Sequence, residues 1–147
     1  MTDHALGDHN VKTFSQRNRE RCESQNGFNH PLMSWNLSDW MTATLGELGE
    51  AANVVKKLNR YRDGIILRYQ TETEAELRQM LADEIADAAI YLDLLAQAAG
   101  FDLEIIREAK FQKTNKKIGY IGDGLDVDGT PLTGKELQSD LEDGVSR

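Results

Sequence analysis

The sequence predicts an all-α protein, a helical bundle built from antiparallel helices, on three observations. Two prolines in 147 residues and few β-branched side chains stand against many Ala, Leu, Glu, Lys and Arg, a composition that favours helix on intrinsic propensity. Apolar residues recur three and four apart across residues 40–58 and 77–95, the period of one helical face. Start and stop signals bracket these stretches, with Ser38, Thr73 and Asp102 before them and Gly64, Gly100 and Gly119 after. With 39% hydrophobic and 29% charged residues the chain is long enough for one compact domain and short for two. The expected division is a flexible N-terminus over 1–11, a single domain over 12–119 and a C-terminal arm over 120–147.

A first helix is expected over 12–22, where the apolar stripe is thin. Residues 26–31, Asn-Gly-Phe-Asn-His-Pro, collect turn formers, and Pro31 disfavours helix in the residue before it, so a loop follows. Ser38 is a plausible N-cap for a long second helix over 39–62, which Asp63-Gly64 would stop. Ile65, Ile66 and Leu67 make a short apolar connector. A third helix starts near Thr73, where Thr73-Glu74-Ala75-Glu76 has the form of a capping box, and ends at Gly100. Asp102 can cap a fourth, carrying Leu103, Ile106 and Lys110 before Gly119 ends it. Beyond it, residues 122–129 are rich in Gly and Asp. Asp126, Asp128 and Gly129 mimic part of a calcium loop, but Gly124 and Lys135 occupy the positions of its first and last acids.

Charge and cysteine content exclude whole classes of function. A net charge of -8 gives duplex nucleic acid no general reason to bind, since that affinity comes from cations neutralising phosphates. Cys22 is the only cysteine, which rules out an internal disulfide and a cysteine-rich zinc site and fits a reducing cytoplasm. No apolar run approaches the roughly 20 residues that span a bilayer, and the N-terminus lacks the basic and apolar segments of a signal peptide. A cytoplasmic protein with no membrane partner is expected.

The helical arithmetic exposes an anomaly. On the third helix Leu77, Leu81, Ala88, Tyr91 and Leu95 form one stripe, with Glu84 in its middle and Asp87 on its border beside Met80 and Leu94. On the second, Leu45, Leu48, Ala52 and Val55 are expected to face the core. Trp40, Ala43, Glu47, Glu50, Val54 and Lys57 define the neighbouring face. Carboxylates among apolar residues cost several kcal/mol unless a cation compensates them. Mg²⁺ takes oxygen ligands and retains waters, so a Glu-x-x-Glu and a Glu-x-x-Asp pair on facing helices could hold it and leave places for phosphate oxygens. The bland alternative is a set of solvated acids paired with Lys56, Lys57 or Arg78. His4, His9 and His30 fit no Glu-x-x-His di-metal pattern, and neither a zinc-hydrolase motif nor a Gly-rich phosphate loop is present.

These residues resemble the MazG-like superfamily of all-α nucleoside triphosphate pyrophosphohydrolases. The chain reads Glu47-Leu48-Gly49-Glu50, then Glu84-Ile85-Ala86-Asp87, with Gly46 and Gly49 among the first acids and Ala88-Ala89-Ile90-Tyr91-Leu92 after the second pair. Lys110 and Asn115 resemble the trailing Lys and Asn of the family. The likeness, to a phage-type or dCTPase-like member, covers about residues 35–118, with a spacer longer than in compact MazG domains, in which respect some phage-encoded relatives look similar. It implies hydrolysis of a (deoxy)nucleoside triphosphate to the monophosphate and pyrophosphate, with Mg²⁺ or Mn²⁺ on Glu47, Glu50, Glu84 and Asp87. It also implies a homodimer or homotetramer that completes the bundle, in a host cytoplasm if the chain is phage-encoded. Glu50 is the candidate to double as catalytic base.

Lys110 and Asn115 are expected on phosphate, and Lys57, on the Glu50 face, is a further phosphate candidate. Lys113 and Lys117 share the face of Lys110, where the helix dipole alone would also favour them. Trp35 and Trp40 could stack on a base, although such tryptophans are more often core, and Asn53, Asn36 and His30 could read base edges or ribose. Rival readings are a dUTPase, dCTPase or phosphoribosyl-ATP pyrophosphohydrolase branch of the same chemistry, and a non-catalytic helical assembly module.

Overall fold

The computed structural model describes residues 11–65 and 67–120, so the expected terminal segments lie, apart from Val11 and Tyr120, outside the described residues. The described part is helical, with no strand among the described residues. Four α-helices follow in order: α1 (Phe14–Glu23), α2 (Leu37–Arg62), α3 (Glu74–Ala98) and α4 (Leu103–Ile118). The contacts divide the chain into two units at Gly100 and Phe101.

In the first unit α1 opens on a capping box. The Thr13 hydroxyl accepts from the Gln16 amide at 3.2 Å, and the Gln16 side chain accepts from the Thr13 amide at 2.8 Å. The chain then doubles back along α1. The Phe28 amide donates to the Arg21 carbonyl (3.0 Å) and the His30 amide to the Cys22 carbonyl (2.8 Å). Gly27 passes so close that a Cβ there would lie 1.9 Å from the Arg21 carbonyl oxygen, so no larger residue fits this return. Past Pro31, a 3-10 turn over Leu32–Ser34 follows, which the turn formers before it did not predict.

Helix α2 begins earlier than expected. Asn36, not Ser38, is its N-cap, because the Asn36 side-chain oxygen accepts from the Ser38 and Asp39 amides (2.9 and 3.1 Å) while Asp39 accepts from the Asn36 amide (3.0 Å). For α3 the predicted capping box is present, with Thr73 and Glu76 exchanging bonds. Gly100 follows α3 at φ +80°, a conformation that favours glycine.

The two long helices pair along their length in opposite directions. Trp40, early in α2, meets Tyr91, late in α3. At the other end the Tyr61 hydroxyl donates to the Glu72 carbonyl at 2.6 Å, just before α3 starts. The face that α2 buries is a correction to the sequence reading. Trp40, Thr44, Ala51 and Val54 are buried, whereas Leu45, Leu48, Ala52 and Val55 are exposed. A hydrophobic period marks a stripe without saying which neighbour covers it. Thr44 can sit inward because its hydroxyl donates to the Trp40 carbonyl at 2.9 Å.

The core gathers at one end of this pair, where Cys22, Leu32, Trp40 and Leu94 pack together and Tyr91, Leu95 and Ala98 lie against them. The Trp40 indole N–H donates to the Leu32 carbonyl at 3.1 Å, tying the 3-10 turn to α2. A buried polar cluster fastens α1 to α3. Asp93 is 2% exposed, and its carboxylate accepts from the Ser15 hydroxyl, from the Asn18 amide at 2.8 Å and from the Gln97 amide at 2.9 Å.

The second unit contains α4. Asp102 caps it as expected, accepting from the Glu104 and Ile105 amides at 2.9 and 3.1 Å, and Gly119 ends it at φ +68°. No helix among the described residues is long and apolar enough to cross a membrane.

Candidate metal centre

Glu47 and Glu50 are one turn apart on α2, and Glu84 and Asp87 one turn apart on α3, so the antiparallel pairing sets the two motifs opposite each other. One carboxylate oxygen from each of Glu47, Glu50 and Glu84 falls within 4.8 Å of the others. Glu47 and Glu84 are half-buried, while Glu50 and Asp87 are exposed. Asp87 stands outside that convergent trio, but its charge is felt by both half-buried acids.

The electrostatics follow from the crowding. Lost solvation, then the charges of Asp87, Glu50 and Glu84, push the Glu47 carboxyl above its ordinary pKa. Glu84 is raised in the same direction by lost solvation and by Glu50, Asp87 and Asp83. No ion pair reaches any of the four acids among the described residues. Three unneutralised carboxylates held this close form a hard-oxygen donor set that a divalent cation would relieve.

Glu47 and Asp87 also line one side of a cavity of about 360 Å³. Its aromatic walls come from Phe28, His30, Trp35, Trp40 and Tyr91. The His30 ring stands edge-on to Trp35 (centroids 4.7 Å apart, 73° between planes) and to Trp40 (5.5 Å, 80°). Both tryptophans named from the sequence therefore reach the cavity, in different roles. Trp40, at 2% exposed, is core and wall at once, and Trp35, at 37%, is accessible.

Other predicted residues are elsewhere. Lys57 is ion-paired with Glu72 on the segment leading into α3. Asn53 is exposed and accepts from Lys56 at 2.9 Å, and it does not line the cavity. Asn36 is engaged in capping α2. Lys110, Lys113 and Lys117 are exposed on α4 and Asn115 is half-buried there, in the second unit. His4 and His9 and the Gly- and Asp-rich tail lie outside the described residues.

Sequence reasoning missed Arg21, Phe28 and Ile90 as cavity residues, and treated Tyr91 only as core. The signal for Phe28 was Gly27 beside it, the residue that lets the loop fold back over α1. A wider groove of about 810 Å³ runs along α1, but its charges pair with one another, Lys12 with Glu20 and Arg19 with Glu23, and it holds none of the predicted site residues. Compared with protein-family models, curated proteins and solved structures, the chain finds no match, so the reading of this site rests on its own residues.

Proposed function

We propose that the chain is a Mg²⁺-dependent pyrophosphohydrolase of the MazG-like all-α type, cleaving a (deoxy)nucleoside triphosphate to its monophosphate and pyrophosphate. The observation that carries this reading is the convergence of Glu47, Glu50 and Glu84 within 4.8 Å beside an aromatic cavity. Acids alone are common on helical surfaces. Acids converging beside an aromatic-walled cavity, with Glu47 common to both, suit a ligand with a ring at one end and a polyphosphate at the other.

In this proposal Glu47, Glu50, Glu84 and Asp87 would hold Mg²⁺ or Mn²⁺, which when bound would supply charge neutralisation for phosphate oxygens and a lowered pKa for a bound water. The protein's own contribution is orientation and proton transfer. Trp35 and His30 receive the base, and the acids fix the phosphate end. Glu50, the exposed member of the trio, takes the proton of the attacking water. Within the first unit Lys57 is the candidate phosphate contact and would have to exchange Glu72 for phosphate, while Lys110 and Asn115, in the second unit, keep only the phosphate role that the resemblance implies.

The exposed face of α2 supports a homo-oligomer. Leu45, Leu48 and Val55 are 58%, 49% and 39% exposed on one helical stripe, and pairing with a second copy would withdraw them from water.

The deciding measurement is pyrophosphate release from individual nucleoside triphosphates with and without Mg²⁺, with products identified. Release that requires Mg²⁺ and disappears in Glu84→Ala supports the reading and names the branch, dUTPase, dCTPase or another. No release from any triphosphate would leave the non-catalytic assembly module standing in its place.

A further inference from the structure

One cation stands among the aromatic and acidic walls of the cavity without an acidic partner. Arg21 lines the cavity together with Glu47 and Asp87, yet forms no ion pair among the described residues.

Its orientation is built from below. Asn18 is 3% exposed, and its side-chain nitrogen donates to the Ile90 carbonyl at 3.0 Å and to the Asp93 carboxylate at 2.8 Å. Both amide protons are thereby engaged on acceptors. A flip would set the Asn18 oxygen against a carbonyl and a carboxylate, so that oxygen must face the other way, where it accepts from Arg21 Nη2 at 3.1 Å. The Phe28 ring holds the other side, with the guanidinium carbon 5.2 Å from its centroid. A guanidinium carries five N–H donors in a rigid fork, and this clamp engages one nitrogen.

We infer that Arg21 is the base-reading donor of the cavity, and that it selects nucleotides whose base presents two adjacent acceptors, cytosine (O2 and N3) or guanine (O6 and N7). This rests on the nucleotide reading of the acidic site. Phosphate oxygens belong with the convergent carboxylates and their cation, whereas Arg21 is held against the Phe28 ring among the aromatic residues of the cavity wall. A planar fork beside aromatic walls matches the edge of a stacked ring. Adenine alternates donor and acceptor along its edges, and thymine places an N–H between its two carbonyls. Neither offers the paired acceptors that a fork requires.

The test is a titration of the full-length protein with dCMP, dGMP, dAMP and dTMP, following the fluorescence of Trp35 and Trp40. The wild type is expected to bind dCMP, dGMP or both about 5- to 150-fold more tightly than dAMP and dTMP, the discrimination of one good bidentate contact. Arg21→Met, at an exposed position, levels the four. Arg21→Lys keeps the charge without the fork and does not restore the preference. The dCMP and dGMP arms identify which of the two bases is read. Equal weakening of all four nucleotides by Arg21→Met, or no change, overturns the inference while leaving the nucleotide reading intact. Binding of no nucleotide overturns the inference, and pyrophosphate release from triphosphates decides the nucleotide reading separately.

Discussion

Replacing Asp93 with Leu tests whether the buried polar cluster holds α1 on α3. The carboxylate, 2% exposed, accepts from Ser15, Asn18 and Gln97. Hydrogen bonds to a charged group contribute about 1.5–3 kcal/mol each, but the three losses are unequal. Asn18 keeps the Ile90 carbonyl at 3.0 Å, and Gln97 keeps the Ser15 carbonyl at 3.0 Å. Only the Ser15 hydroxyl loses its sole acceptor, and removal of a buried charge offsets part of the total. The expected cost is therefore about 3 kcal/mol, the low end for breaking a buried charged network. In a unit of this size that lowers Tm by roughly 12–24 °C. Asp93→Asn keeps the shape and one acceptor, and the Ser15 hydroxyl can turn to accept from the new amide, so about 1 kcal/mol is expected. Urea unfolding followed by tryptophan fluorescence measures both, because Trp40 is buried against the return loop that α1 anchors. A cost below about 1 kcal/mol for Asp93→Leu would refute the reasoning, since three donors to one buried acceptor could not then be holding the helix.

Gly27→Ala would force a Cβ onto the Arg21 carbonyl, a backbone atom that cannot swing aside, and is expected to cost about 3 kcal/mol, near the top of the overpacking range. Near-UV circular dichroism should show Trp35 and Trp40 losing their fixed surroundings, and an unchanged spectrum would count against a rigid return loop. The raised Glu47 and Glu84 carboxyls predict a pH dependence. A carboxyl raised in the fold keeps its proton to a higher pH than in the unfolded chain, so the native state binds more protons across that window. Stability of the metal-free protein then falls as pH climbs from the unfolded Glu value, about 4.3, through the raised native one. Mg²⁺ should reverse the fall, adding about 2.7 kcal/mol at a hundredfold excess over its Kd, and Glu84→Gln should weaken both effects. A Tm that does not respond to Mg²⁺ at any pH would remove the metal centre. Leu48→Glu, on the exposed stripe of α2, should shift sedimentation from oligomer to monomer with the helical content kept. A wild type already monomeric at micromolar concentration would sink that expectation.

How far the site could be read in advance differs from one residue to the next. Glu84 announced itself by interrupting an apolar stripe, and it is half-buried in the convergent trio. Asp87 shared that signal but stands outside the trio, although its charge acts on Glu47 and it lines the same cavity as that acid. Lys57 shared a helical face with Glu50, yet its side chain reaches along α2 to Glu72, a partner on a connector whose path no periodicity describes. Arg21 carried no sequence signal at all.

What the sequence determined by itself is local. Helix content, the caps at Thr73 and Asp102, the stop at Gly119 and the one-turn spacing within each acidic pair follow from side chains within four residues of one another. Everything that required a choice of neighbour was decided by tertiary structure. The two stripes of α2 are both apolar enough to bury, and the one carrying Trp40 and Val54 faces inward because Trp40 finds Leu32, Cys22 and Leu94 to pack on and a carbonyl for its indole N–H. That choice turns Glu47 toward Glu84, leaves Leu45 and Leu48 in water, and lets the Gly27 return carry Phe28 to the cavity that Arg21 lines from α1. A helical period specifies an angle around one axis, and only the packing of a second helix converts that angle into a site.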